Sequence, residues 1–183
     1  MVIQNSEFVH GGEEEEDDDM RPRVAPMIPS ECNSALSMIS GNDEYSIFKN
    51  AIHETGMDSV YGSVRLRATV FIPTNKAIVD TIQSMAMPED VETRVFKDFD
   101  TLHALVRHHV IPYYSMAVGD MQIGSCYETM AQGQCIRIGS DDKEMVVLSS
   151  GNNNNATIDM ADLNQGCPTV FHTITGFLIP DIL

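Results

Sequence analysis

The sequence predicts a single α+β domain, with helices in its first half and strands in its second half. Apolar residues recur at helical spacing from Ala35 to His109, interrupted by one β-rich run at residues 68–72. After Ser115 the pattern changes to short strand-like runs. This segregation favours an α+β fold over a doubly wound parallel sheet, and a length of 183 residues fits one domain.

Two helices are predicted at the start of the domain. Residues 35–39 place their apolar side chains on one face of a short helix, and residues 45–52 repeat at helical spacing in a second one. Asp43 is expected to cap the start of the second helix. Gly56 is expected to end it, because glycine readily adopts the left-handed conformation that follows many helices.

The β-rich run at residues 68–72 is closed by Pro73 and is followed by two further helices. The first begins at Thr74-Asn75, whose side chains provide a cap. The second spans residues 99–109 and runs into Ile111-Pro112.

The second half of the domain reads as strands. Tyr127–Met130 and Cys135–Ile138 form a predicted hairpin around Gln132-Gly133. Three more strands are predicted at residues 145–148, 156–160 and 170–174.

The first 29 residues have a different composition from the rest. Residues 11–19 are a glycine and acid run that repels itself, and three prolines follow between Pro22 and Pro29. We therefore expect residues 1–29 to be a disordered acidic tail with a proline-rich linker, and residues 30–183 to be the folded domain. Met1–His10 lacks the basic and apolar regions of a signal peptide.

The charge balance excludes one large class of partners. The chain has 27 acidic and 11 basic residues, a net charge of −16, of which residues 1–29 contribute −6 and residues 30–183 contribute −10. Nucleic-acid affinity is built on cationic contacts to phosphate, so we expect no nucleic-acid partner. No apolar stretch approaches the roughly 20 residues of a membrane helix, so we expect no membrane insertion within this chain.

Four cysteines, Cys32, Cys126, Cys135 and Cys167, have neither zinc-ribbon nor redox-motif spacing. An even number fits two disulfides in an oxidising compartment, and reduced, buried cysteines are the alternative. The arms of the predicted hairpin would bring Cys126 and Cys135 together as one disulfide. Cys32 would then pair with Cys167. Three connectivities remain possible from the sequence alone. Asn155 begins a glycosylation-type tripeptide.

The histidines are the best catalytic candidates, but their pattern favours a structural role. His103 and His108 lie five positions apart, which places them on different helix faces, whereas two metal ligands at i and i+4 would share one. His109 shares a face with apolar residues, and His172 lies within a strand. We therefore predict buried structural histidines, no metal, no cofactor and no enzymatic activity.

Three separated stretches carry motif-like runs. Residues 68–77 read ATVFIPTNKA, residues 105–112 read LVRHHVIP, and residues 170–180 read VFHTITGFLIP. Together they resemble the fasciclin-like domain family, which has a Thr-Val-Phe-x-Pro-Thr-Asn-x-Ala motif, a central Tyr-His segment and a closing Leu-x-Pro. The resemblance covers about Ser30 to Leu183. It departs from the family at His108, where tyrosine is usual, and at Thr175, which is often acidic.

The resemblance implies a fasciclin-like β-sandwich wedge with flanking helices. It also implies a non-catalytic adhesion or matrix-binding domain at an extracellular or cell-surface location, with a cell-surface or matrix protein or polysaccharide as partner. Some relatives engage integrins through the Tyr-His segment and an Asp-Ile pair before the closing motif. The matching positions here, His108-His109 and Asp162-Leu163, are the partner contacts that the resemblance implies. The residues that would hold the fold as structural motif positions are Thr69, Phe71, Pro73, Thr74, Asn75, His109, His172 and Pro180.

Two other functions remain open from the sequence. The acidic composition fits a matrix protein that interacts with divalent cations or mineral, in which case removing residues 1–29 would abolish calcium binding. A histidine-based hydrolase would require a deep pocket that gathers His108, His109 and His172.

Overall fold

The computed structural model describes residues 27–84, 97–140, 145–149 and 155–181. In chain order its elements are α1 (Ala35–Ile39), α2 (Ser46–Glu54), α3 (Asp58–Tyr61), β1 (Ala68–Pro73), α4 (Asn75–Ser84), α5 (Phe99–His108), β2 (Val110–Pro112), β3 (Cys126–Glu128), β4 (Cys135–Ser140), β5 (Met145–Ser149), β6 (Asn155–Thr157) and β7 (Thr169–Ile174). Short 3-10 helices cover Asp43–Tyr45 and Val118–Asp120. Residues 1–26 of the predicted acidic tail lie outside the described residues.

The strands form two sheets, which confirms the α+β prediction. The first sheet has the order β2-β1-β7, and the second is an antiparallel meander of the order β3-β4-β5-β6. β1 pairs with β2 in antiparallel and with β7 in parallel, in a register from Ala68 with Thr169 to Pro73 with Ile174. The first and last strands of the domain therefore lie side by side. β2 occupies residues that were predicted only as the continuation of the preceding helix.

The first sheet is buried on both faces because each face packs against a different layer. Val70 of β1 and Phe171 of β7 belong to the core that the sheet shares with the helices. Phe71 and Ile174 belong to a second core between the two sheets. All six residues of β1 and all six of β7 are buried, which explains why β1 reads as a nearly continuous apolar run.

The predicted caps hold at two positions and fail at one. Gly56 ends α2 with φ of 67°, and the Thr74 hydroxyl accepts the Ala77 N–H at 3.1 Å at the start of α4. The predicted cap Asp43 is wrong. Asn42 accepts the Glu44 N–H at 2.9 Å instead, because the 3-10 helix that precedes α2 moves the start of the helical segment one residue earlier.

Asn75 is the first residue of α4, and its side chain bonds to the start of α2 rather than capping its own helix. Its side-chain oxygen accepts the Ile47 N–H at 2.9 Å, and its side-chain nitrogen donates to the Asp43 carbonyl at 2.8 Å and the Ser46 hydroxyl at 2.9 Å. These bonds join the start of α4 to the start of α2. The asparagine that follows β1 thus satisfies unpaired groups at a helix start distant in sequence.

Both predicted disulfides are present in the structure. Cys32 bonds to Cys167 and Cys126 to Cys135, with Cα–Cα distances of 5.6 Å in each pair. Cys126–Cys135 crosses the β3–β4 hairpin diagonally, since Cys126 pairs with Arg137 and Cys135 with Glu128. Cys32–Cys167 ties the segment before α1 to the segment before β7.

Candidate functional site

The residues that follow β2 expose two neighbouring tyrosines. Tyr113 is 79% exposed and Tyr114 is 54% exposed, although the segment continues into the buried Met116. Tyr113 has φ of 71°, in the left-handed region that non-glycine residues seldom adopt. We call residues 113–118 the tyrosine loop.

Thr69 of β1 holds the first part of the tyrosine loop. Its hydroxyl is buried, donates to the Tyr114 carbonyl at 2.8 Å and accepts the Met116 N–H at 3.0 Å. The Tyr113 N–H donates to the Arg67 carbonyl at 2.7 Å. The left-handed backbone of Tyr113 is therefore held by bonds on both sides, which is how surrounding structure stabilises an unfavourable conformation.

His172 and Asp162 hold the second part of the loop. The ring of His172 is buried, accepts the Asp162 N–H at Nδ1 (3.2 Å), and donates from Nε2 to the Met116 carbonyl at 3.0 Å. The Asp162 carboxylate accepts the Val118 N–H at 2.7 Å. Burial lowers the pKa of His172, so the neutral ring with its proton on Nε2 is the form that makes these bonds.

His109 is a structural residue at the end of α5. Its Nδ1 donates to the Leu105 carbonyl at 2.8 Å and its Nε2 accepts the Leu178 N–H at 3.2 Å. The ring also stacks against Phe177, with centroids 5.0 Å apart. Burial lowers the pKa of His109 to about 3, so the ring is neutral and joins the end of α5 to the segment after β7.

His108 lies next to His109 and is equally buried. Its Nδ1 is 3.2 Å from the Thr129 hydroxyl, and its Nε2 has no hydrogen-bond partner within the part of the chain that the structure describes. Burial lowers its pKa to about 4. All three histidines are thus closed off from solvent and engaged, apart from this one nitrogen, in holding backbone and side chains.

A groove of about 610 Å³ opens beside the tyrosine loop. Its lining residues are Arg107, Pro112, Tyr113, Tyr114, Cys126, Glu128, Thr129, Met130, Gln132 and Gly133. Tyr114 also meets Tyr127 edge to face, with ring centroids 5.9 Å apart. The groove therefore lies between the end of α5, the tyrosine loop and the hairpin that the Cys126–Cys135 disulfide crosses.

A second groove, of about 720 Å³, lies at the start of α4. Its charged lining residues are Asp43, Glu44, Lys76, Asp80 and Asp159, and Lys76 pairs with Asp80. Among the described residues no group of three or more His, Cys, Asp or Glu side chains could hold a metal ion. Within the described residues, this groove is therefore an acidic surface without an arrangement of side chains that could bind a metal ion.

In the structure, most of the predicted partner-binding residues support other groups rather than form the surface. His108 and His109 are buried, so they can affect a partner only through the groups that they position. Asp162 anchors the tyrosine loop, and Leu163 bridges to Phe171 of β7. Sequence reasoning missed the tyrosines themselves, although two aromatic residues in an aperiodic segment after a proline could have drawn attention to them.

The remaining predicted positions follow the same pattern. Thr69 and His172 contact the tyrosine loop, Phe71 stacks on His172 with centroids 5.7 Å apart, and Pro73 ends β1. Pro180 is buried in the segment after β7. Asn155 is exposed on β6, as a glycosylation acceptor must be, and its use as an acceptor stays a prediction.

Replacing Thr69 with valine is expected to destabilise the tyrosine loop. The change keeps the side-chain shape but leaves the Tyr114 carbonyl and the Met116 N–H without their partner, at a cost of about 1–3 kcal/mol in the free energy of unfolding. Hydrogen exchange of the Met116 amide should accelerate.

Thr173→Val is the matched control for this substitution. The Thr173 hydroxyl is also buried and accepts one N–H, that of Met160 at 2.9 Å, but it does not touch the tyrosine loop. Unchanged Met116 exchange in Thr69→Val, or equal acceleration in Thr173→Val, would contradict the assigned role.

The fold is shared with a solved structure of known origin. A FAS1 domain pair from the insect cell adhesion molecule fasciclin I superposes with a TM-score of 0.65 at 12% sequence identity, covering 81% of this chain and 51% of that one. This chain therefore spans about half the length of that neighbour. No curated protein matches the sequence.

The two sheets, the helical layer and the buried motif residues define an α+β domain of the FAS1 type. The model of the Fasciclin domain family matches residues 43–180, and the chain belongs to that family. Fasciclin domains occur in extracellular and cell-surface adhesion proteins and are generally non-catalytic. Within the described residues no helix has the length and apolarity to cross a membrane.

Proposed function

We propose that this chain is a non-catalytic extracellular domain that adheres to a cell-surface or matrix partner through the tyrosine loop and the groove beside it. The observation that carries the proposal is the exposure of Tyr113 and Tyr114 on a loop that buried side chains hold in place. Tyrosine is enriched at binding surfaces because it offers a large contact area with few rotatable bonds and a polar tip.

The anchors of the loop support this proposal because they reduce the entropy that binding would otherwise cost. Among the described residues, six hydrogen bonds tie the segment to distant parts of the chain. Four of them involve Thr69, His172 and Asp162, one joins Tyr113 to Arg67, and one joins Ser115 to the Pro168 carbonyl. A surface already in its bound conformation gains affinity without new contacts.

The two disulfides support the proposed extracellular location. Disulfides form and persist in oxidising compartments, whereas cytosolic thiols are kept reduced. Both bonds lie close to the site. Cys126 lines the groove, and Cys167 directly precedes Pro168, whose carbonyl accepts the Ser115 hydroxyl.

Adhesion is expected to fall at least tenfold in the double variant Tyr113→Ser/Tyr114→Ser. The expected measurement is retention of the purified domain on immobilised matrix and on cell surfaces of the source organism, because loss of two central aromatic contacts removes the main anchors of a binding surface. Phe99→Ser is the matched control, since Phe99 is 56% exposed at the opposite end of α5 from the groove. Equal retention of the tyrosine variant and the wild type would refute the proposal.

A further inference from the structure

We infer that the groove beside the tyrosine loop binds a neutral oligosaccharide, which would be the partner chemistry of the adhesion surface proposed above and therefore rests on that proposal. The wall of the groove combines two exposed tyrosine rings with two ionic side chains, Arg107 and Glu128, for which the described residues show no partner. This combination matches a ligand that has apolar C–H faces and many hydroxyl groups.

The aromatic side of the groove is suited to a sugar ring. Tyr113 and Tyr114 are both exposed, and Tyr114 is supported edge to face by Tyr127. Aromatic faces carry a negative partial charge, so they attract the weakly positive C–H groups on the apolar face of a pyranose. Nothing in the described structure covers these rings, and their backbone is already fixed.

The polar side of the groove offers both kinds of hydrogen-bonding group that hydroxyls need. Arg107 can only donate, and the Glu128 carboxylate can only accept, whereas each sugar hydroxyl can do both. In the described part of the chain the structure shows neither an ion pair nor a hydrogen bond for the side chain of Arg107 or Glu128. Both side chains line the groove, where their hydrogen-bonding groups can meet a ligand.

The charge of the domain selects a neutral ligand over a sulfated or uronic one. Residues 30–183 carry a net charge of −10, and within the groove one guanidinium is balanced by one carboxylate. An acidic polysaccharide would be repelled by the domain as a whole and would meet only one cation in the groove. A neutral chain avoids both costs.

The size and lining of the groove favour a short saccharide over a peptide anchor. A volume of about 610 Å³ accommodates a ligand of a few sugar rings. The apolar lining residues other than the tyrosines, Pro112 and Met130, are half-buried, so they offer little apolar surface to a side chain of a protein partner. Gln132 adds one further amide at the exposed rim.

The test is to titrate the whole chain with neutral hexasaccharides of glucan, mannan, xylan and galactan type. Binding is monitored by calorimetry and by the tyrosine ring resonances in NMR. A heparin-type hexasaccharide is the acidic comparison. We expect at least one neutral probe to bind with shifts confined to the groove, and binding to weaken at least tenfold in Tyr114→Ala and in Glu128→Ala, which removes the acceptor. Phe99→Ala should bind as the wild type does, and thermal unfolding should show all variants folded, because the substituted side chains are exposed.

The outcomes separate this inference from the adhesion proposal. Binding only to the acidic probe would overturn the neutral-ligand assignment. Absence of saccharide binding, together with loss of matrix retention in the tyrosine double variant, would overturn the inference, leave the adhesion function standing and point to a protein partner. Absence of both effects would overturn both proposals.

Discussion

Acidification from pH 7 to pH 5 is expected to lower the free energy of unfolding by about 4 kcal/mol through His108 and His109. Burial holds the pKa of His108 at about 4 and that of His109 at about 3, against an ordinary value of 6.5. Well above pH 6.5 both rings are neutral in the folded and the unfolded chain, so their protonation does not affect stability. As the pH falls below 6.5, only the unfolded chain binds protons, and stability is lost until the folded-state pKa is reached.

The magnitude follows from the number of protons that the unfolded chain takes up. Each histidine that stays neutral in the folded state costs about 1.4 kcal/mol per pH unit below 6.5, or about 2 kcal/mol at pH 5. His172 acts in the same direction, because burial also lowers its pKa. Urea unfolding at half-unit pH intervals between 5 and 8 would measure this slope.

His108→Gln is the informative variant for the acid effect. Glutamine can still bond to Thr129, but it does not titrate, so the pH dependence below 6.5 should become less steep by about 1.4 kcal/mol per unit. An identical slope in the variant and the wild type would show that His108 is not kept neutral by the fold.

Removal of the Cys32–Cys167 disulfide in Cys32→Ser/Cys167→Ser is expected to destabilise the domain by about 5 kcal/mol. The bond closes a loop with a sequence separation of 135, and a longer loop restricts the unfolded chain more strongly. The same model predicts about 2.6 kcal/mol for Cys126→Ser/Cys135→Ser, whose separation is 9. The short-loop pair is therefore the matched control.

Denaturant unfolding of the two double variants provides the comparison, and thiol titration verifies its premise. The denatured, unreduced wild type should contain no reactive thiol, because the structure leaves no cysteine free. Four reactive thiols in protein from its native source would reject the disulfides and weaken the extracellular assignment. Equal destabilisation by the two double variants would argue against the loop-length account.

The candidate site was only partly predictable because its residues play two different roles. Thr69 and His172 were predicted as structural and Asp162 as partner-binding, and the structure shows all three holding the tyrosine loop. Tyr113 and Tyr114 belong to no helix or strand, so neither periodicity nor capping chemistry selected them. An exposed aromatic residue becomes visible as a binding feature only once the surrounding surface is known.

The sequence by itself determined the order and type of the main elements, the end of α2 at Gly56, the cap at Thr74 and the family. The elements and the caps depend on residues within a few positions of one another, where backbone preference and capping act, and the family depends on three short motifs that can each be read locally. Only the tertiary structure decided that β1 lies parallel to β7, with Ala68 opposite Thr169, and that buried side chains from two such distant segments meet at the tyrosine loop. Strand partners are selected by burying both faces of a sheet and satisfying its backbone groups across the whole chain, and local sequence patterns carry no record of that choice.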